Sequence, residues 1–356
     1  MSEAKRKKPT ITFIAHWVES WNWLLWFSKK LHRRSETYWH WFWLWPVYAL
    51  MSVVYLICRK SFDVVDQFVF GLADKQIDGQ TVLVRNFSWH FFLPNQRVKI
   101  RQRIIDTVLA LQNQVDVIGL GALIKDERVT QGGKWIVDYL GNRLRVPIVH
   151  GDTLTAATVI RQAVALIKEY SIKTPVFLTG STSKIGRAVA LDLARRGIKV
   201  KMFTQDADRF AKIQQEAGES SGNLEHSEFL ADGHACALWI TGKAVPAGKN
   251  LYEDMPKGTL VLNFAVPNPL NSNDLKRRRD IIAFEGGLLA YDSEQTTLQF
   301  TMRLKPGLTY ACHAGTFVHA YKGWKHHEVG PVDLAKLDEV WQVAEELGFY
   351  LPNMVR

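Results

Sequence analysis

The chain has few cysteines and no pattern that would give them a structural role. Its 356 residues include three, Cys58, Cys236 and Cys312, which stand far apart. This spacing does not suggest a disulfide framework or a zinc site, and such usage fits a reducing compartment best. No apolar stretch with a small-residue cleavage site follows the basic residues 1–10, so we expect a disordered start there rather than a signal peptide.

Acidic residues are scarce at the N-terminus. The whole chain carries a net charge of +10, and residues 1–60 alone hold ten Lys or Arg against three Glu, which leaves +7 in that segment. The basic excess therefore belongs to one segment and not to the whole surface. No recognition motif accompanies it, so we expect no nucleic-acid partner.

The same segment is rich in tryptophan. Residues 17–58 contain eight of the thirteen tryptophans, and Trp39–Cys58 is a run of twenty residues without a formal charge. Tryptophan favours the headgroup region of a bilayer, and basic residues favour anionic lipid. We interpret residues 1–62 as a membrane anchor, with Pro46 kinking or splitting the run. A monotopic helix or shallow hairpin is preferred to a bilayer span, and an aromatic core segment is the alternative.

A βαβ unit stands in the middle of the chain. Val176–Leu178 is a short apolar run, a polar turn with two glycines follows, and a helix with apolar positions every three to four residues ends at Gly197. A second strand follows. Such a turn can hold a pyrophosphate at the helix N-terminus. The candidate cofactor-binding residues of this turn are Gly180, Ser181, Thr182, Ser183, Lys184, Ile185 and Gly186.

The turn departs from the usual three-glycine fingerprint. Ser183 takes the place of the middle glycine, and its Cβ keeps the backbone farther from a phosphate. At the tip of the second strand stands Thr204, where NAD enzymes carry an acidic residue, with Lys184 and Arg209 near it in sequence. These features favour NADPH as the cofactor. The alternative is a structural turn without a ligand.

Strands and helices alternate along most of the chain. This order predicts an α/β fold with a Rossmann-like parallel sheet at residues 171–300, preceded by an α/β substrate region at 63–170. Loops at the carboxyl ends of parallel strands line the ligand crevice. On that ground Thr241 and Gly242 are further cofactor-binding candidates, and Val266 is a substrate-side candidate.

The candidate chemistry lies in residues 301–356, which we expect to form a helical cap. Cys312 falls in or near the first turn of a helix predicted over residues 308–323, where the thiolate form is favoured. The alternative is a buried structural cysteine. His319 is two turns farther along, about 10 Å by helix geometry, so a direct hydrogen bond is not expected. His326-His327-Glu328 lacks a spaced third ligand, and we predict no metal site.

The C-terminal sequence resembles a known family. The stretch from His319 to Gly330, HAYKGWKHHEVG, resembles the C-terminal domain of the plant eceriferum wax proteins, which form very-long-chain alkanes. The resemblance extends back through Asp116–Gly121 and Thr179–Gly197. The plant proteins carry an added membrane domain with histidine boxes for di-iron. No such boxes occur here, so the resemblance implies that oxygen chemistry comes from a partner, a di-iron membrane protein of the fatty acid hydroxylase superfamily.

The layout is also similar, more distantly, to cyanobacterial long-chain acyl-ACP reductase. That family has a Thr-x-Thr-Ala element before an NADPH turn and a nucleophilic cysteine about a dozen residues before a Gly-Trp pair. Thr153, Thr155 and Ala156 match the first element, and Cys312 with Gly323-Trp324 matches the last. The resemblance implies that Thr153 and Thr155 lie on the substrate side and that Cys312 is catalytic. His319 is a second catalytic candidate because of its place on the same predicted helix.

These observations predict a membrane-associated enzyme whose catalytic domain faces the cytoplasm. In the predicted reaction, Cys312 takes the acyl group of an acyl-ACP or acyl-CoA, and NADPH reduces the acyl-enzyme to a fatty aldehyde. The alternative function is a non-catalytic or weakly catalytic subunit of a membrane complex that forms wax or alkanes with a di-iron partner.

Overall fold

The computed structural model describes residues 8–17, 39–71, 75–242, 255–265, 277–299 and 304–353. The chain divides into two compact units. The first comprises Met1–Gly151, Asp292–Pro306 and Gly315–Gly330, and the second comprises Asp152–Tyr291, Gly307–Ala314 and Pro331–Arg356. These limits differ from the four predicted regions, because the helix that begins at Asp152 packs with the second unit and the C-terminal region is divided between both.

The first unit is built on a five-stranded sheet of order β2-β3-β1-β4-β5, in which only the β2–β3 pair is antiparallel. Its strands are β1 (Thr10–Trp17), β2 (Phe62–Phe70), β3 (Ile77–Phe87), β4 (Val117–Leu120) and β5 (Ile148–Val149). Its helices are α1 (Trp39–Ile57), α2 (Arg97–Leu111) and α3 (Lys134–Leu140). Isoleucine, leucine and valine side chains from the strands, α2 and α3 form its core.

Strand β1 removes Thr10–Trp17 from the segment predicted to be a membrane anchor, residues 1–62. Seven of its eight residues are buried, and Trp17, counted among the anchor tryptophans, is fully enclosed. The physical reason is that β1 is a central strand: β3 and β4 pair with its two edges, and its alternating side chains are buried on both faces of the sheet. For Trp17, the alternative of an aromatic core segment is therefore the one observed.

Helix α1 runs without interruption through Pro46. Its C-terminal carbonyls are held by α2: Arg103 donates to the carbonyls of Tyr55 at 2.6 Å and Cys58 at 2.8 Å, and Lys99 donates to that of Leu56. Within the described part of the chain, no helix combines the length and the apolar character that crossing a bilayer requires. The tryptophans at 21, 23 and 26 lie outside the described residues.

The second unit contains a six-stranded, fully parallel sheet. Its strands are β6 (Val176–Thr179), β7 (Val200–Phe203), β8 (Leu224–Ser227), β9 (Leu238–Thr241), β10 (Leu260–Asn263) and β11 (Ile282–Glu285). Their order is β8-β7-β6-β9-β10-β11. Numbered from β6, this is the 3-2-1-4-5-6 order of the doubly wound dinucleotide-binding fold, with the switch point between β6 and β9. The predicted Rossmann-like sheet is confirmed.

Helices cover this sheet. They are α4 (Asp152–Glu169), α5 (Lys184–Arg195), α6 (Ala207–Ala217) and α8 (Leu337–Glu346). Helix α5 packs between α4 and α6, and α4 also contacts α8 and β10. A separate antiparallel pair, β12 (Leu288–Ala290) and β13 (Leu308–Tyr310), belongs to the same unit. The predicted helix over residues 308–323 therefore begins later than expected, as α7 (Ala311–Lys322).

Candidate functional site

The turn after β6 has the backbone geometry of a dinucleotide-binding turn. Gly180 has φ +65°, in the left-handed region that glycine adopts without strain. A Cβ on Gly186 would lie 2.2 Å from the carbonyl oxygen of Gly180, so the third glycine is required for the close approach of helix and strand. The two glycines therefore meet the same physical constraints as the first and third glycines of the fingerprint.

The polar residues of the turn are engaged in folding it. Ser183 is the N-cap of α5, and its hydroxyl oxygen accepts a hydrogen bond from the Gly186 N–H at 3.1 Å. The buried Ser181 hydroxyl donates to the Phe203 carbonyl at 3.0 Å and ties the turn to β7. Thr182 and Ile185 are half-buried. Ser183 thus stabilises the helix N-terminus, and Lys184 is the first helical residue.

The tip of β7 does not single out NADPH. The Thr204 hydroxyl accepts a hydrogen bond from the Asp206 N–H at 3.1 Å. Arg209 pairs with Asp206 at 3.2 Å, and Lys184 pairs with Asp152 at 3.3 Å. Both bases on which the NADPH prediction depends therefore have a carboxylate partner within the second unit.

The carboxyl ends of β6, β9 and β10 lie side by side, because Thr179 pairs with Thr241 and Thr241 with Asn263. The Thr241 hydroxyl donates to Asn263 Oδ1 at 2.8 Å. Gly242 lies under Phe264, whose ring would be 2.3 Å from an added Cβ. Thr241 and Gly242 thus lie at the carboxyl end of β9, and their role in cofactor binding stays a prediction. Val266 lies outside the described residues.

Two further residues at this edge were not predicted from the sequence as site residues. Thr179 is 2% exposed, and its hydroxyl has no hydrogen-bond partner in the described structure. Asp152 begins α4 and is equally enclosed, and it was considered only as a helix cap. Their positions in the sequence could have indicated a role at the site, because Thr179 ends β6 and Asp152 begins α4. Thr153 and Thr155 follow Asp152 in the first turn of α4, both buried.

Cys312 and His319 have different surroundings. Cys312 is half-buried in the first turn of α7, and it belongs to the second unit. His319 belongs to the first unit, where its Nε2 donates to the His326 carbonyl at 2.9 Å. Burial lowers the pKa of His319 to about 4, so the ring is neutral at pH 7. These facts make His319 poorly suited as a general acid at neutral pH.

A buried histidine–carboxylate pair in the first unit was not predicted. His150 is fully buried, with Nδ1 at 3.1 Å from Glu328 and Nε2 at 3.1 Å from the Gly330 carbonyl. Glu328 pairs with Val149 beside β5, and His327 accepts a hydrogen bond from the Ile148 N–H at 3.1 Å. In the described residues, no three His, Cys, Asp or Glu side chains are placed to hold a metal ion.

Strand order and turn together define the second unit as a Rossmann-like domain of the dinucleotide-binding type. Residues 176–351 match the family model described as CER1-like, C-terminal domain. Residues 176–351 therefore belong to this family, and the resemblance to the eceriferum C-terminal domain is confirmed.

Two relatives from rice (Oryza sativa subsp. indica) match 309 residues each. Very-long-chain aldehyde decarbonylase GL1-2 is 33% identical, and very-long-chain aldehyde decarbonylase GL1-1 is 32% identical. Each match covers 85% of this chain and 46% of the relative, so the chain spans about half the length of the curated relatives it matches.

Among solved structures, a D-isomer-specific 2-hydroxyacid dehydrogenase from Lactobacillus delbrueckii ssp. bulgaricus is similar with 16% identity and a TM-score of 0.30. The likeness covers 49% of this chain and 66% of that one. A TM-score this low supports no conclusion, and the assignment of the fold rests on the strand order.

The predicted activity is wrong. The relatives are named for acting on very-long-chain aldehydes, whereas the predicted reaction forms an aldehyde from an acyl thioester. The chain is therefore not assigned as a fatty acyl thioester reductase. A catalytic role for Cys312 stays a prediction. The distant resemblance to acyl-ACP reductase stays a prediction that nothing here tests.

Proposed function

We propose that this chain is a nicotinamide-dinucleotide-binding component of a system that converts very-long-chain aldehydes in wax or alkane formation. The observation that carries the proposal is the turn Gly180–Gly186 at the start of a 3-2-1-4-5-6 parallel sheet. Membership of the CER1-like family supports the aldehyde as the substrate class.

The residues present fit a dinucleotide at this turn. The left-handed Gly180 and the close-packed Gly186 leave the first turn of α5 directed past the end of β6, where a diphosphate would be held. The unsatisfied Thr179 hydroxyl is a further group that an oxygen of a ligand would satisfy. Thr241 and Gly242 would lie on the nicotinamide side of the switch point. A nicotinamide dinucleotide, when bound, supplies or accepts a hydride.

We propose that a partner protein carries out the oxygen chemistry of aldehyde conversion. The chain covers 46% of each rice relative, so the activity of a whole relative is not assigned to it. A separate di-iron membrane protein of the fatty acid hydroxylase superfamily is the partner that the sequence resemblance favours. In this arrangement the chain presents aldehyde and dinucleotide, and it acts as a weakly catalytic or non-catalytic subunit.

We propose that the protein binds to a membrane surface. On helix α1, three apolar side chains are exposed at a spacing that puts them on one face: Leu50 at 63%, Val53 at 55% and Ile57 at 72%. Arg59 and Lys60 follow at the end of the helix, also exposed. An apolar stripe beside basic residues suits an anionic bilayer surface. We propose that α1 lies on the membrane with the second unit on the cytoplasmic side.

Dinucleotide binding is the experiment that decides the proposal. NADPH and NADH are titrated into the purified full chain by calorimetry, together with Gly186→Ala and the control Gly222→Ala. Gly222 has open space at its Cβ position, whereas the Cβ of Gly186→Ala meets backbone. We expect wild type and Gly222→Ala to bind at least one nucleotide and Gly186→Ala to lose binding. Absence of binding to wild type at millimolar nucleotide would refute the proposal.

A further inference from the structure

Two helix N-termini meet beside the dinucleotide turn. Asp152 is the first residue of α4 and Lys184 is the first residue of α5, and their side chains form an ion pair with Nζ 3.3 Å from Oδ2. Helix α4 packs against α5 and contacts β10, so the two helix starts flank the switch point between β6 and β9. The ion pair therefore lies where the fold binds its ligands.

The electrostatics of this place favour an anion. Each helix contributes the positive end of its dipole, and Lys184 adds a full positive charge. The Asp152 carboxylate balances them, and its side chain is only 3% exposed against 21% for that of Lys184. In the chain without a ligand, Asp152 thus fills the electrostatic role that a bound phosphate would have.

A second observation at the same turn also points to a ligand. Thr179 is the last residue of β6 and directly precedes Gly180, and its buried hydroxyl lacks a hydrogen-bond partner in the described structure. A buried hydroxyl without a partner is unusual in a folded protein. A phosphate oxygen is an acceptor that would satisfy it.

We propose that Lys184 binds the diphosphate of the dinucleotide and that Asp152 limits the affinity by competing for the same ammonium group. The inference rests on the proposed function and goes beyond it, because it assigns opposite effects to two residues. Lys184 supplies the attraction that the missing middle glycine does not, since a long cationic side chain reaches a phosphate from a distance at which the backbone cannot. Asp152 opposes binding because its carboxylate pairs with Lys184 and repels the incoming anion.

The two substitutions should therefore act in opposite directions on affinity. Lys184→Gln removes a charge-assisted contact, and we expect dinucleotide binding to weaken about tenfold or more. Asp152→Asn removes the competitor and the repulsion, and we expect binding to tighten about threefold. The double variant should bind more weakly than wild type but slightly more tightly than Lys184→Gln, because Asp152→Asn still removes the repulsion of the anion when the ammonium group is absent.

The experiment measures the dissociation constants of NADPH, NADH, adenosine and inorganic pyrophosphate for wild type, both single variants and the double variant. Lys201→Gln is the matched control. Lys201 also forms an ion pair, with Glu225 at 3.1 Å, and its side chain is 17% exposed, a fraction similar to the 21% of Lys184. Its partner, however, is on the neighbouring strand β8. We expect Lys201→Gln to bind like wild type. Adenosine, which lacks the diphosphate, should be insensitive to Lys184→Gln.

The outcomes separate this inference from the proposed function. Dinucleotide binding that Lys184→Gln leaves unchanged, or that Asp152→Asn weakens, would overturn the inference and leave the proposed function intact. If wild type binds neither nucleotide, the proposed function fails. Pyrophosphate then decides the inference: binding that Lys184→Gln abolishes supports an anion contact at Lys184, and no binding overturns it.

Discussion

Two side-chain pairs, His150 with Glu328 and Asp152 with Lys184, begin two residues apart in the chain, yet they belong to different units. In the first unit, His150 is fully enclosed, and both of its ring nitrogens face oxygen atoms of the segment 328–330. In the second unit, Asp152 holds Lys184 at the start of two helices, and Lys184 keeps part of its surface in water. The first pair joins β5 to the segment 328–330 within the first unit. The second lies at the edge of the parallel sheet where this fold binds ligands.

Burial alone does not distinguish a functional polar pair from a structural one. A pair whose polar atoms are satisfied by its own unit stabilises that unit, and its removal should reduce stability. A pair at a strand switch point, beside helix N-termini, can exchange one partner for a ligand. The difference lies in the position in the fold, since both pairs have similar distances.

The largest change in stability is expected when the His150–Glu328 pair is removed. His150→Ala removes contacts to Glu328 and to the Gly330 carbonyl and leaves a cavity, so we expect the free energy of unfolding to fall by about 3–5 kcal/mol. Lys184→Gln should reduce it by only about 1–2 kcal/mol, because the amide still reaches Asp152 and the helix N-terminus stabilises that carboxylate. Urea unfolding followed by circular dichroism measures both. Equal losses would contradict the distinction between the pairs.

The loss of stability at low pH should come mainly from buried histidines of the first unit. Burial lowers the pKa of His16, His90 and His319 there to about 4, and that of His313 in the second unit to about 3. Each folded pKa is below the unfolded value of about 6.5. The native state therefore binds fewer protons, and stability present above pH 6.5 is lost as the pH falls towards 4.

His319→Gln tests this sensitivity at one residue. The glutamine amide can still donate to the His326 carbonyl, but it does not titrate. From the pKa of about 4, His319 should account for about 3 kcal/mol of the stability lost between pH 7 and pH 4. Urea unfolding at pH 7, 6, 5 and 4 should show a shallower decline for the variant. An unchanged slope would mean that His319 does not contribute.

The glycine turn provides a smaller effect on stability. In Gly186→Ala the new methyl group would lie 2.2 Å from the Gly180 carbonyl oxygen, so the start of α5 must shift. We expect a loss of about 1–3 kcal/mol in the free energy of unfolding. Gly222→Ala, with open space at its Cβ, should stay within about 0.5 kcal/mol of wild type. A neutral Gly186→Ala would show that the turn adapts and does not require glycine.

The smallest effect on stability is expected at helix α1. Replacing Leu50, Val53 and Ile57 together by serine should leave folding nearly unchanged, because all three side chains are more than half exposed. Co-sedimentation of the full chain with anionic vesicles should nevertheless fall severalfold. Phe229→Ser is the matched control, since Phe229 is 68% exposed but lies in the second unit. Equal sedimentation of both variants with wild type would refute the membrane-facing role of α1.

Much of the second unit could be predicted from local pattern. The apolar run at Val176 and the helical spacing after Lys184 lead directly to β6 and α5. Such elements are recognisable because their hydrophobic period and caps are local. Strand β8 was missed because LEHS carries polar residues and is paired on only one side, with β7.

The first unit was harder to predict for a physical reason. Strand β1 reads TITFIAHW next to a basic tail and a tryptophan-rich segment, so composition favoured an anchor over a strand. Its pairing partners β3 and β4 lie more than sixty residues away. Long-range pairing leaves no local signal, and neither does the enclosure of His150 by residues 328–330.

The class of fold, the glycine turn and the family can be recognised from the chain, because hydrophobic period, turn chemistry and motif are local properties. The folded structure is needed to show that Trp17 is a core residue, that Cys312 and His319 belong to different units, and that Asp152 meets Lys184. These facts depend on contacts between residues far apart in the chain, which the folded packing alone brings together.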